Sequence, residues 1–443
     1  MSNLENLLNS LEQAYPNQAE FLQAVAEVGQ HIVPIYNANQ SHKQHDVLMR
    51  LCRPQRVIEF NIEWQSDSGK IETNLGWRVQ HSNLLGPYKG GLRFHPATNL
   101  SVLRFLAFEQ TFKNALTGMQ IGGAKGGSDF DPRGRSDDEI RRFCTAYMAE
   151  LSRYIGSRTD IPAGDINVGN REIGYLYGAY KRMTLESEGV MTGKPINIGG
   201  SFCRIEATGY GIIYFLIQVL KQSESSIEGM KVCISGAGNV ALHTAQQAIK
   251  QGAIVKTLSN SKGYLKMDAG FELQDIDYLL SQVNDENPLL SLGRNKTGAY
   301  YLKHRKPWEV EADIAIPCAT QNELLLDDAK TLINKGYKIL IEGANMPCTT
   351  DAQKHLHKHD FILVPGKASN AGGVVMSALE MSQNAGMELV SGKKLNQQLK
   401  ERMALIHQKC VDEGREENRI NYTKGANVSA YRVLAEAMMM QGY

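Results

Sequence analysis

Three lysines between residues 86 and 132 stand in settings that a solvated surface lysine does not require. The stretch GPYKGGLRFH (86–95) sets Lys89 among glycines, whose flexible backbone disfavours ordered structure. IGGAKGGSDF (121–130) sets Lys125 between two glycine pairs. Between them, Gln110 and Lys113 are three positions apart on a predicted helix over 101–116 and so project from one of its faces. Glycine leaves room for a ligand close to the backbone, and poor solvation lowers a lysine pKa into a range useful for proton exchange. Each lysine alone would read as surface, but the group points to recognition of a small anion. PAGDINVG (162–169) presents Asp165 on a loop between glycines, where a turn residue is the plain reading and a proton carrier beside the lysines the chemical one.

A second constellation lies downstream. KVCIS (231–235) reads as a short buried strand, GAGNVA (236–241) as a glycine turn, 240–250 as a helix and AIVKTL (253–258) as the next strand. In this strand–turn–helix context Gly236 permits the tight turn, Gly238 lets backbone approach a pyrophosphate, and Ala241 allows close helix packing. The helix start at Asn239 and Val240 offers free N–H groups and a partial positive charge to that pyrophosphate. The second strand ends in LSNSKG (258–263), without the acidic residue that bonds a ribose 2′-hydroxyl. Neutral Asn260 with Ser261 and Lys262 suits a 2′-phosphate, which favours NADP and leaves NAD open. A basic pocket for a dianion joined to a dinucleotide site implies hydride transfer, with the protein supplying orientation and proton movement.

The elements that must position these groups form an α/β protein of two domains. A mixed α/β substrate domain is expected over 1–200, joined by a C-terminal helix at about 422–443. A Rossmann-type, doubly wound dinucleotide-binding domain is expected over 201–421. Residues 1–54 carry two or three amphipathic helices; 57–64 and 73–80 alternate as two strands around a polar turn at 66–70. A helix over 136–154 opens with a capping box, another covers 209–221, and apolar runs at 314–316, 338–341 and 361–364 extend a parallel sheet. The last helices are placed at about 377–413 and 426–440.

With 48 Lys+Arg against 47 Asp+Glu in 443 residues, the formal charge of +1 argues against nucleic acid or anionic membrane as partners. Seven scattered cysteines read as reduced thiols, the N-terminus lacks a signal-peptide pattern, and the apolar stretch 211–220 is too short to span a bilayer. A cytoplasmic protein is expected. The HLHKH run (355–359) reads as solvated surface, so no metal site is expected.

GPYKGGLRFHP (86–96), FEQTFKNAL (108–116), GGAKGGSDFDP (122–132), PAGDINVG (162–169), EATGYG (206–211), PCATQNEL (317–324), EGANMP (342–347) and SNAGGV (369–374) together resemble the glutamate dehydrogenases, most closely their NADP-linked type. The likeness runs in the same order and spacing from about residue 50 onward. It implies interconversion of L-glutamate with 2-oxoglutarate and ammonia, coupled to NADP(H), in a homohexamer. It implies that Lys89 and Ser377 hold the side-chain carboxylate, and that Gln110, Lys113 and the Gly164 backbone hold the α-carboxylate. Lys125 would be the catalytic lysine and Asp165 would pass protons to and from nitrogen. Thr208, Asn239 and Asn345 would contact the coenzyme. Ile205 departs from the family, where proline is common. A relative acting on leucine, valine or phenylalanine would share Lys125 and Asp165, but would have to bury Lys89 against an apolar side chain. A catalytically silent NADP-binding regulator is the reading from another class. Closure of an interdomain cleft is expected of a hydride-transfer enzyme.

Overall fold

The computed structural model describes residues 3–282, 285–417 and 419–442. The chain forms two compact units. The first comprises residues to Arg204, Met376–Leu395 and those from Asn427 onward; the second comprises Ile205–Val375 and Asn396–Ala426. The return to the first unit thus includes 376–395, which lies inside the 201–421 span expected for the dinucleotide-binding domain. Its anchor is chemical: within the first unit, Glu380 is buried against Lys194, whose Nζ donates to Oε1 at 2.9 Å. The helix expected over 377–413 is two helices, Gly372–Gly386 and Gly392–Gly414, parted after Met387 takes a left-handed φ of 55°.

The first unit begins with four helices, Asn3–Ala14, Ala19–Ala38, Gln40–Gln44 and Val47–Cys52. Its sheet contains β1 (Arg56–Gln65), β2 (Ile71–Ser82), β3 (Tyr88–Phe94), β4 (Gly123–Ser128) and β5 (Asp160–Gly164), in the order β1-β2-β4-β3-β5. The β1–β2 hairpin is antiparallel, as its alternation requires, and β3 runs parallel to both β4 and β5. β3 and β4 are the glycine-rich lysine segments, and they are ordered, buried strands. Glycine is needed for proximity rather than looseness: a Cβ on Gly90 would lie 1.6 Å from the Ala124 carbonyl oxygen.

One sheet face packs Leu92 and Phe94 against the helices Asp137–Leu151 and Asn170–Thr184 through Phe130, Phe143, Tyr147 and Leu176. The first of these helices opens with the capping box read from the sequence: Glu139 N donates to Ser136 Oγ and Ser136 N to Glu139 Oε2. On the other face, Trp77 and Val79 pack against Leu103 and Ala107 of the helix Leu100–Leu116.

The second unit holds a seven-stranded sheet: β6 (Lys231–Ser235), β7 (Ile254–Asn260), β8 (Gly263–Met267), β9 (Ala299–Lys303), β10 (Ile314–Pro317), β11 (Ile339–Ile341) and β12 (Ile362–Val364). The order is β12-β11-β10-β6-β7-β8-β9. Strands β12 through β7 are parallel, and β8 and β9 add an antiparallel edge. The near-continuous apolar strands, buried on both faces, are what a parallel sheet requires.

Candidate active site

Strand periodicity assembles the first part of the site. Residues two apart on one strand share a face, and β3 pairs with β5 so that Lys89 faces Ile161 and Gly91 faces Ala163. Leu92 pairs with Gly126, so Lys125 stands beside Gly91 on the same face. Lys89, Arg93, Lys125 and Asp165 therefore gather on the face covered by the helix Leu100–Leu116.

That helix begins at the N-cap Asn99, whose Oδ1 accepts from Val102 N at 3.0 Å. It sits close to β4 because Gly123 has no side chain; a Cβ there would be 2.0 Å from Thr111 Oγ1. Buried Asn114 ties the helix to both lysine strands, donating to the Gly122 carbonyl at 2.5 Å and the Lys89 carbonyl at 3.3 Å. Gln110 donates to Asn114 Oδ1 at 2.6 Å, and Lys113 is buried one turn away.

The two strand lysines differ in their partners. Lys125, 4% exposed, reaches Asp165 at 3.0 Å, and Asp165 also accepts from Arg93 Nε at 2.9 Å. Burial lowers the Lys125 pKa, and the Asp165 charge opposes that shift without cancelling it. Burial by itself would raise Asp165, but Lys125 and Arg93 outweigh it and hold the carboxyl below the usual carboxylate range. Lys89 is 2% exposed, and among the described residues no carboxylate lies within ion-pair distance of its Nζ. Burial, with Arg204 and Arg78 adding repulsion, pushes its pKa well down, and the more distant Glu380 and Asp160 only moderate this. Ser377 is buried on Gly372–Gly386, one turn before Glu380. Gly164 ends β5.

Four features escaped the sequence reading. Arg93 was within the quoted motif, and the two-residue period from Lys89 would have selected it had the segment been read as a strand. Arg78 and Asp160 form a fully buried bidentate pair on the opposite face, and Arg78 also donates to the Gly90 carbonyl at 3.1 Å. Nothing local in the sequence links residues so far apart. Arg204 encloses an Nε without a partner, and Thr192, bridged to Ala163 at the edge of β5, encloses an unpartnered Oγ1. Buried donors without partners are suited to receive ligand oxygens.

In the second unit, Gly236 adopts φ 89° and its N–H donates to Ser259 Oγ at 2.9 Å. Gly238 caps Asn239–Lys250, with open space where its Cβ would be, while Ala241 is buried against the turn. The turn, the free helix start at Asn239 and Val240, and the open side at Gly238 fit a pyrophosphate. Asn239 donates to the Ile205 carbonyl at 2.7 Å, and Thr208 lies in the first turn of Ala207–Gln222. At the β7–β8 turn, Asn260 is occupied by the fold: it donates to Asn287 and accepts from Lys262 N and Tyr301 Oη. Ser261 and Lys262 remain exposed, the latter 3.9 Å from Glu286. Asn345 accepts from Asn370 Nδ2 at 3.1 Å.

Comparison with known proteins accounts for nearly the whole chain. The family model described as Glu/Leu/Phe/Val dehydrogenase, dimerisation domain, matches residues 54–182. That described as Glutamate/Leucine/Phenylalanine/Valine dehydrogenase matches 199–442. The NADP-specific glutamate dehydrogenase of a Psychrobacter species is 48% identical, covering 99% of each chain. The NAD-specific glutamate dehydrogenase of Bacteroides fragilis is 47% identical, again covering 99% of each. The crystal structure of Plasmodium falciparum glutamate dehydrogenase matches with a TM-score of 0.96 at 43% identity, covering 99% of this chain and 94% of that one. The chain belongs to the Glu/Leu/Phe/Val dehydrogenase family.

Proposed function

We propose that the chain catalyses the reversible oxidative deamination of L-glutamate to 2-oxoglutarate and ammonia, with NADP(H) as coenzyme and NAD(H) as the alternative. The observation that carries the dicarboxylate specificity is Lys89: a buried lysine with, among the described residues, no carboxylate within ion-pair distance, so that its charged form lacks a counter-charge and Arg204 adds repulsion. An apolar substrate side chain would leave that charge uncompensated, whereas a second carboxylate neutralises it. Lys89 and Ser377 hold the side-chain carboxylate; Gln110, Lys113 and the backbone at Gly164 hold the α-carboxylate.

Lys125, with its lowered pKa, activates water and polarises the reacting carbonyl or imine carbon. Asp165, hydrogen-bonded to Lys125 and steadied by Arg93, moves a proton to or from the substrate nitrogen. NADP, when bound, accepts or supplies the hydride. Gly236, Gly238, Asn239 and Val240 would hold its pyrophosphate, Ser261 and Lys262 its 2′-phosphate, and Thr208 and Asn345 would contact it elsewhere. Overall sequence similarity does not decide the coenzyme, because NADP-specific and NAD-specific relatives are almost equally identical to the chain. The absence of an acidic residue at the end of β7 supports NADP.

Among the described residues no helix is long and apolar enough to cross a membrane, in keeping with a cytoplasmic enzyme. A homohexamer follows from the family resemblance. The deciding assay is NADPH oxidation with 2-oxoglutarate and ammonium, repeated with NADH and with the 2-oxo acid of leucine. Turnover with 2-oxoglutarate and NADPH should dominate; preference for the leucine-derived acid would overturn the substrate assignment, and preference for NADH the coenzyme assignment.

A further inference from the structure

Arginines of the first unit differ in what surrounds them. Arg133, Arg135, Arg141, Arg142 and Arg171 are each matched by a carboxylate, at 2.5–2.8 Å. Arg56, Arg153 and Arg158 instead line one cavity of about 620 Å³, together with Tyr88 and Tyr154, and its wall contains no carboxylate. Among the described residues, Arg153 and Arg158 make no hydrogen bond and no ion pair. In a chain with almost equal numbers of acids and bases, three guanidinium groups around one acid-free cavity are a local excess of positive charge. Each guanidinium is a planar fork of donors that matches two oxygens of a phosphate at once.

We propose that this cavity is a second binding site, for a small phosphate-bearing polyanion, separate from the substrate and coenzyme sites. None of Lys89, Lys113, Lys125 and Asp165 contributes to its wall. The cavity is nevertheless linked to the reacting sheet. Arg56 donates to Gln80 Oε1 at 3.2 Å, and Gln80 donates to Asp160 Oδ2 at 2.9 Å and to the Tyr154 carbonyl at 3.0 Å. Asp160 holds Arg78 and pairs in register with Tyr88, the residue before Lys89. An anion that draws Arg56 off Gln80 therefore acts on the ion pair beneath the substrate lysine, and its binding alters the KM for 2-oxoglutarate.

The test is calorimetric titration of inorganic pyrophosphate into the full chain in its native assembly. Saturating NADPH and 2-oxoglutarate, in ammonium-free buffer, block the two other anion sites. Saturable binding at one site per chain is expected, weakened about tenfold or more by Arg153→Ser with Arg158→Ser. Arg153→Lys with Arg158→Lys should fall between, since it keeps the charge and loses the fork. Absence of saturable binding, or unchanged affinity in the double serine variant, would overturn the proposal. So would displacement of pyrophosphate by chloride at matched ionic strength, which marks an unspecific cationic surface. If light scattering shows that the double serine variant sheds subunits, the arginines hold another copy of the chain and the proposal fails.

Discussion

Lys125 and Lys89 lie on neighbouring strands, share a sheet face and are almost equally buried, yet among the described residues only Lys125 has a carboxylate within ion-pair distance. At the Lys125 end, the protein completes its own electrostatics: Asp165 balances the lysine and is itself shared with Arg93. At the Lys89 end, the balancing charge is missing, and Arg204 and Arg78 increase the deficit. In the proposed reaction, Lys125 is the reacting lysine and is paired with a group able to exchange its proton. The proposed recognition lysine, Lys89, has its charge left for the ligand to satisfy.

Substitutions should separate the two ends. The largest effect is expected from Lys125→Ala, with kcat reduced by about 10³- to 10⁴-fold and the affinity for NADPH, followed by fluorescence, unchanged. Undiminished turnover would remove Lys125 from the chemistry. Asp165→Asn should lower kcat by about 10²- to 10³-fold. Because Asp165 supports the protonated form of Lys125, its loss should also move the acid limb of the residual pH–rate profile to lower pH.

Lys89→Met should act on recognition. The kcat/KM for glutamate should fall by about 10- to 100-fold, mainly through KM, while the ratio of norleucine to glutamate turnover rises. An unchanged ratio would show that the open charge does not set specificity. The same lysine carries a pH effect whose sign follows from its depressed pKa. A bound dianion favours the ammonium, so above the free-enzyme pKa of Lys89 binding must take up a proton, and KM for 2-oxoglutarate should rise with pH. Calorimetry in buffers of different ionisation enthalpy should detect this uptake, and Lys89→Met should abolish it. The smallest change belongs to the exposed β7–β8 turn. Lys262→Ala should weaken NADPH binding about two- to fivefold and NADH binding less, with the difference fading at high salt.

Legibility in the sequence tracked how local each determinant is. The β1–β2 hairpin, the Ser136 capping box and the strand–turn–helix around Gly236 each lie within a short window, and the structure contains all three. The lysines and Asp165 stood out by composition alone. Their strands did not, because Gly90 and Gly123 depress strand propensity and the reason for them, contact with Ala124 and Thr111, lies on other elements. The same holds for Arg78 with Asp160 and for Glu380 with Lys194. These pairs join segments far apart in the chain, and no short window contains both partners.

The position of β3 between β4 and β5 also dictates when the site can come into being. Arg93 and its partner Asp165 are 72 residues apart in sequence, and a parallel arrangement permits no hairpin to bring them together early. Until β5 docks, Asp165 has not reached Lys125, and one flank of Lys89 has no neighbouring strand. Both lysines reach their buried settings only in a sheet that contains β5 as well as β3 and β4. A sheet without β5 lacks both the Asp165 partner of Lys125 and one of the strands that flank Lys89.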